Sequence, residues 1–368
     1  MNKNYGNDKA FIAKHHEIIE LTSDNTRVLV SPTLQGRVVT STTDGENGYS
    51  FGWINYALIE SGKLLPQCNN FGGEDRFWVG PEGGQFSVFF PQGSDFSFPD
   101  WKAPAAIDSE AWDVNSHSES SVTLSKTTQL TNTSGYTLSV LLDRTIHLHS
   151  RSEIEKILGV SIAPEMECVA FSSTNRLTNV GDFSWNKNTG MLSIWCLGQF
   201  IPSDDNTIII PYKNAEGAKI NDSYFGKIAA ERLQNENNTL HFKGDGLMRG
   251  KIGTPPEMTI PIAFALDKVN QSLTIVKFDF DPTNTDYVNS MWEQQNEPFK
   301  GDVINSYNDG PLEDGTIMGG FYEIETSSAA ANLAPCQTKT HRHTTIHMKG
   351  DVASLENIMQ NISERMRD

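Results

Sequence analysis

The run Phe321-Tyr322-Glu323-Ile324-Glu325-Thr326 sets two carboxylates on one face of an extended segment, opposite Tyr322 and Ile324. Like charges that close repel, which raises one carboxyl toward the pKa of a working acid or base. Two solvated surface glutamates are the plainer reading. A second dense stretch runs Asn69-Asn70-Phe71-Gly72-Gly73-Glu74-Asp75-Arg76-Phe77-Trp78 and on through Val79-Gly80-Pro81-Glu82-Gly83-Gly84-Gln85. Its two Gly-Gly pairs would let backbone come close to a ligand. Glu74 offers an acid, Asp75 an acceptor, Arg76 a fork of donors, and Phe77 and Trp78 flat faces. Ring stacking with dense hydrogen bonding is how sugars are held; a structural turn with an Arg–carboxylate pair is the alternative. No Lys-Ser/Thr follows and no helix is signalled, which excludes a phosphate-binding loop.

Further candidates surround these. In Gly301-Asp302-Val303-Ile304-Asn305-Ser306-Tyr307-Asn308-Asp309-Gly310, Asn305 and Tyr307 share a strand face, and Asn308-Asp309-Gly310 reads as a turn. Lys251, in Arg249-Gly250-Lys251-Ile252-Gly253, and Arg37 are cations beside glycine turns. His147 and His149 alternate with Asp143 and Thr145 on one strand, and His341, His343 and His347 alternate on another. A His-x-His pair binds a metal once a carboxylate completes the set. The sequence shows no third ligand, so these histidines read as polar faces and no metal or cofactor is expected.

The elements that must hold these residues are strands. Period-two alternation marks 27–30, 36–41, 85–90, 168–173, 191–197, 207–212, 239–243, 260–266, 272–280, 319–326 and 340–348. Residues 121–130 and 136–149 read as a hairpin across Thr133-Ser134-Gly135. So many short strands divided by Asn, Gly, Asp and Pro point to an all-β, large β-sandwich. One helix is signalled, over about 351–366, where Val352, Leu355, Ile358, Met359, Ile362 and Met366 form one apolar face. Residues 281–300 are polar with interspersed aromatics and no clear period, a long loop of the kind that covers a site. With no repeat and no linker, residues 1–368 read as a single domain with that C-terminal helix.

Composition narrows the partners. In 368 residues, 29 basic and 46 acidic side chains leave a formal charge of −17. Phosphate backbones and anionic lipid need basic patches, and no Lys or Arg run exists, so neither nucleic acid nor membrane is expected. No segment has the twenty or so apolar residues that span a bilayer. The N-terminus Met1-Asn2-Lys3-Asn4-Tyr5 opens no signal peptide, which implies a soluble cytoplasmic protein, or a periplasmic one if already processed. Cys68, Cys168, Cys196 and Cys336 are far apart and read as free thiols.

Ile324-Glu325-Thr326, then Leu333-Ala334-Pro335-Cys336, then the His-rich final strand resembles the galactose mutarotase (aldose 1-epimerase) superfamily. Asn69 to Gly73 lies roughly where that superfamily has its His-Gly-Gly loop, and Leu177-Thr178-Asn179-Val180-Gly181 matches its asparagine before a turn. Gly-Gly-Glu-Asp-Arg-Phe-Trp and Asn-Ser-Tyr-Asn-Asp-Gly mark an uncharacterised bacterial branch. The resemblance implies a supersandwich whose concave sheet face holds a mono- or oligosaccharide. It makes Glu325 the general base. The superfamily's acid is a histidine, and both its histidines lack counterparts here; Glu74-Asp75-Arg76 stands at one of those places. Glu74, or His147 if its strand borders the cleft, then becomes the acid. Arg76, Asp75, Trp78, Asn179, Lys251, Asn305, Tyr307, Glu323 and Arg37 are the expected substrate contacts, and the three cations would suit a uronic or sulfated sugar.

The functional expectation is a carbohydrate-binding or carbohydrate-modifying protein resembling aldose 1-epimerases: an epimerase-like isomerase or other glycan-processing enzyme. A non-catalytic sugar-binding module is the alternative. A third reading is a polysaccharide lyase acting on uronate-containing glycans.

Overall fold

The computed structural model describes residues 4–312 and 315–367. Strands β1 (Ile19–Ser23), β2 (Thr26–Ser31) and β3 (Arg37–Thr42) make a small sheet. Next come β4 (Arg76–Gly80), β5 (Asp113–His117), β6 (Ser121–Thr131), β7 (Thr137–Leu148), β8 (Glu167–Asn179) and β9 (Ser193–Phe200). β10 (Asn206–Pro211), β11 (Leu233–Glu236), β12 (Thr239–Lys243), β13 (Gly250–Thr254) and β14 (Ile262–Asp267) follow. β15 (Ser272–Phe278), β16 (Ile304–Asn308), β17 (Tyr322–Ser327) and β18 (Thr338–Lys349) complete the set. One sheet has ten strands in the order β11-β12-β10-β14-β15-β18-β8-β7-β6-β5, and another has five in the order β13-β16-β17-β9-β4. The expected large β-sandwich is what forms.

Alternation explains the layering. On β7, Leu138, Val140, Leu142, Ile146 and Leu148 are buried and face Phe77, Val79, Ile194 and Cys196 of the five-stranded sheet. At the other end, Ile208, Ile210, Ala263, Ala265 and Val276 pack on Ile252, Ile304, Ile324 and Phe200. At about 1.5–3 kcal/mol for each large side chain taken out of water, this seam is the main source of sheet-on-sheet stability. After helices α1 (Tyr5–His15), α2 (Tyr56–Ser61) and α3 (Ala105–Asp108), the chain forms α4 (Arg151–Leu158) and α5 (Val352–Arg367), which pack on the opposite face of the ten-stranded sheet. Helix α5 docks through Leu355, Ile358 and Ile362, as its stripe requires.

Three departures have local causes. Residues 85–90 form no strand, because the Ser87 hydroxyl donates to the Glu82 carbonyl and accepts the Phe89 amide, holding a turn instead. Helix α1 (Tyr5–His15) has only Tyr5, Asp8 and Ile12 buried, too thin a stripe to show as a period. Helix α4 begins with a capping box, Ser150 and Glu153, and that spacing was present in the sequence.

The four cysteines are free. Cys336 has φ of +67°, a left-handed conformation that glycine adopts at least cost.

Candidate functional site

The register of the five-stranded sheet puts its polar residues on the face turned away from the sandwich core. Lys251 lies opposite Tyr307, Tyr307 opposite Glu323, and Glu323 opposite Gln199. In the next row on that face, Asn305, Glu325, Leu197 and Arg76 follow one another. Then comes the Trp195–Trp78 pair. Successive side chains alternate across a strand, so these rows share one side while Ile252, Ile304, Ile324 and Phe77 take the other.

Glu325 is the best-positioned acid–base group on this face. Its Oε2 accepts from Lys251 Nζ at 2.9 Å and from the Trp195 indole at 3.0 Å. Oε1 is buried and has no hydrogen-bond partner among the described residues. Burial opposes the charge of Lys251, but Glu325 and Glu82 more than compensate and move its pKa upward. The Lys251 ammonium also lies 5.2 Å from the Trp195 ring and 5.5 Å from the Tyr224 ring. Beside this pair, Arg76 donates to Glu323 at 2.5 Å and lies 5.3 Å from the Trp78 ring.

Glycines make the remaining room. A Cβ on Gly253 would fall 2.0 Å from Asp302 Oδ2, so the bare backbone admits that carboxylate. A bend at Val303 lets Asp302 reach the polar face, where Tyr224 donates to it at 2.6 Å. Burial raises Asp302 to about 6, against the hydrogen bond from Tyr224. Glu82 is raised to about 7 by burial, against the pull of Lys251 and with a push from Glu325. Glu323 rises to about 7 from burial, against Arg76 and with Glu325 adding.

The 281–300 segment does cover this face. Val288 and Ser290 join Gly80, Ser193, Trp195, Tyr224, Lys251 and Asp302 around a cavity of about 10 Å³, room for one water. Gly83 and Gly84 give that segment its seat, since a Cβ at either would strike Met291 or Gln295. Trp292 of the same segment stacks on Trp101, with centroids 5.8 Å apart and planes at 21°. Phe98 stacks on Trp101 at 15°, its side chain largely exposed, so a slab of rings ends at the surface.

The expected contacts divide accordingly. Glu325, Glu323, Arg76, Trp78, Lys251, Asn305 and Tyr307 come together on the polar face. Glu74 does not: it lies between the sheets, fully buried, bonded to Ser41 and to His347 Nε2 at 2.8 Å. Asp75 pairs with buried Arg144 at 2.7 Å in that same layer, where Thr326 bonds both His341 and His343. Arg37 is buried, bonded to the Gly72 carbonyl and Gln35, and burial, then Arg76, push it down to about 9. Gly72 and Gly73 approach the Trp53 carbonyl and the Arg37 side chain, so their role is internal packing. The Asn179 amide donates to the Phe183 and Leu333 carbonyls and accepts from Gly181. His147 is on the outward face of β7 beside Glu153, across the ten-stranded sheet from the polar face.

Trp195, Tyr224, Asp302 and Glu82 were missed as site residues. Asp302 and Glu82 lay inside stretches already singled out, whereas Tyr224, in an irregular segment, carries no sequence signal.

Glu82 supports a pH test. Its folded-state pKa lies above the ordinary carboxyl value of 4.5, so its contribution to stability is complete below that value. The contribution is lost as pH rises through about 7. Glu82→Gln should therefore flatten the fall in urea-unfolding free energy between about pH 5 and about pH 8. An unchanged slope would show that Glu82 is ordinary in the folded protein.

Among solved structures, a Synechocystis sp. PCC 6803 protein matches with 12% identity and a TM-score of 0.55, over 91% of this chain and 96% of its own. A galactose mutarotase-like protein from Lactobacillus casei ATCC 334 matches with 11% identity and a TM-score of 0.52, over 90% and 100%. A galactose mutarotase related enzyme from Lactobacillus acidophilus gives 9% identity and 0.50, over 91% and 98%. The architecture is therefore galactose mutarotase-like. No curated protein matches in sequence. Residues 3–364 match the family of unknown function DUF6786, and the chain belongs to that family.

Proposed function

We propose that this protein binds a neutral sugar on the polar face of the five-stranded sheet and interconverts its anomers, with Glu325 as the base. The observation that carries this reading is the held carboxylate: two donors fix Oε2 while Oε1 stays buried and unpaired. A buried acceptor without a partner is costly, and a hydroxyl of a bound ligand would satisfy it. Oε1 takes the proton of the anomeric hydroxyl while an acid protonates the ring oxygen and the ring carbon–oxygen bond breaks. Rotation about the adjoining carbon–carbon bond and reclosure give the other anomer. Glu82, protonated up to about pH 7, is the acid in this scheme. The stacked slab of Trp292, Trp101 and Phe98 supplies ring faces near it.

Charge favours a neutral substrate over a uronate. Lys251 and Arg76 already pair with Glu325 and Glu323, and Arg37 is buried behind the Gly72-Gly73 turn. A lyase acting through any of these three cations would need it free to face the substrate carboxylate. Because the cavity now holds about one water, the 281–300 segment or the Tyr224 segment must move outward for a sugar to enter.

A thermal-shift screen against neutral aldoses, uronic acids and oligosaccharides tests binding. A neutral aldose at millimolar concentration should raise Tm by mass action, and Trp195→Phe should weaken the shift by freeing Glu325. No shift with any sugar, or shifts with uronic acids alone, would overturn the proposal.

A further inference from the structure

We propose a second site, for a zinc-class divalent cation, on the outward face of the ten-stranded sheet, held by His147, His149 and Glu153. One ligand atom from each of the three lies within 4.8 Å of the others. A histidine near the end of β7, another just past that end, and a carboxylate from the following helix form the donor set of an open tetrahedral zinc site, with the fourth position left to water. Closing such a triad onto an ion requires only side-chain rotation, because His147 and Glu153 are half-exposed.

The surroundings orient the donors as metal sites require. His149 Nε2 lies 2.7 Å from Ser172 Oγ, which is itself bonded to Thr344 Oγ1. With Nε2–H donated to Ser172, the lone pair of His149 remains on Nδ1, a buried nitrogen without a partner among the described residues. Glu153 is fixed by its Oε2, which accepts from the Ser150 amide at 2.8 Å and hydroxyl at 2.7 Å. Its Oε1 faces His147 Nε2 at 3.9 Å. The rings of His147 and His149 stand at 81° with centroids 4.9 Å apart. A bound ion would tie the end of β7 to α4.

The test is calorimetric titration of the untagged full chain with Zn²⁺, supported by Co²⁺ absorption to report tetrahedral geometry. One ion per chain is expected. Each of His147→Gln and Glu153→Gln should weaken binding by at least about tenfold. Both variants should keep the fold, since His147 is half-exposed and the amide oxygen introduced by Glu153→Gln can still accept from Ser150. Zn²⁺ should raise the Tm of the wild type and not that of the variants. Absence of binding to the folded wild type, or equal affinity in both folded variants, would overturn the site.

Discussion

Lys251→Met should lower the unfolding free energy by about 3–5 kcal/mol, because it strands Glu325 as a buried charge. The Lys251–Glu325 pair is almost wholly out of water, with side-chain exposures of 11% and 1%. The Trp195 indole remains as a donor, but one neutral hydrogen bond does not replace an ion pair. Adding Glu325→Gln removes the stranded charge, so the double variant should recover part of the loss. Denaturant curves on the two single variants and the double give the cycle. A coupling of about 1–3 kcal/mol is expected for residues in direct contact. Additive effects would mean that the two groups do not hold each other, and Glu325 would lose its positioning partner.

Arg144→Met should cost a similar amount, about 3–5 kcal/mol, by the same physics at a different place. Arg144 and Asp75 are both fully buried, and the guanidinium also donates to the Gly36 carbonyl at 3.1 Å. This contact joins β7 of the large sheet to the turn that delivers Arg76 to the polar face. If the proposed function holds, the variant should therefore weaken sugar binding as well as stability, although Arg144 does not lie on the polar face. A loss below about 1 kcal/mol would place the pair among interactions that contribute little.

Much of the fold was legible because alternation and burial coincide. The β6–β7 hairpin and β12 follow sequence periods closely, and α5 shows a full apolar stripe. Elements with thin burial were not legible: β5 is exposed throughout, and α1 buries three residues. For the site, strand parity correctly joined Glu323 with Glu325 and Asn305 with Tyr307, but parity within one strand cannot tell which sheet layer a residue enters. Glu74, Asp75 and Arg76 are consecutive, yet the first two enter the layer between the sheets and the third turns to the polar face. The third donor of the proposed metal site was hidden for a related reason. Glu153 reaches His147 only because the chain turns into α4 directly after β7.

The most direct test of the central claim is anomer exchange of a bound neutral aldose followed by NMR, comparing the wild type with Glu325→Gln. The wild type should accelerate interconversion, and the folded variant should lose on the order of 10²-fold or more of that acceleration while still binding the sugar. Full activity in the variant, or a sugar that binds the wild type with no acceleration of exchange, would contradict the assignment of Glu325 as the base.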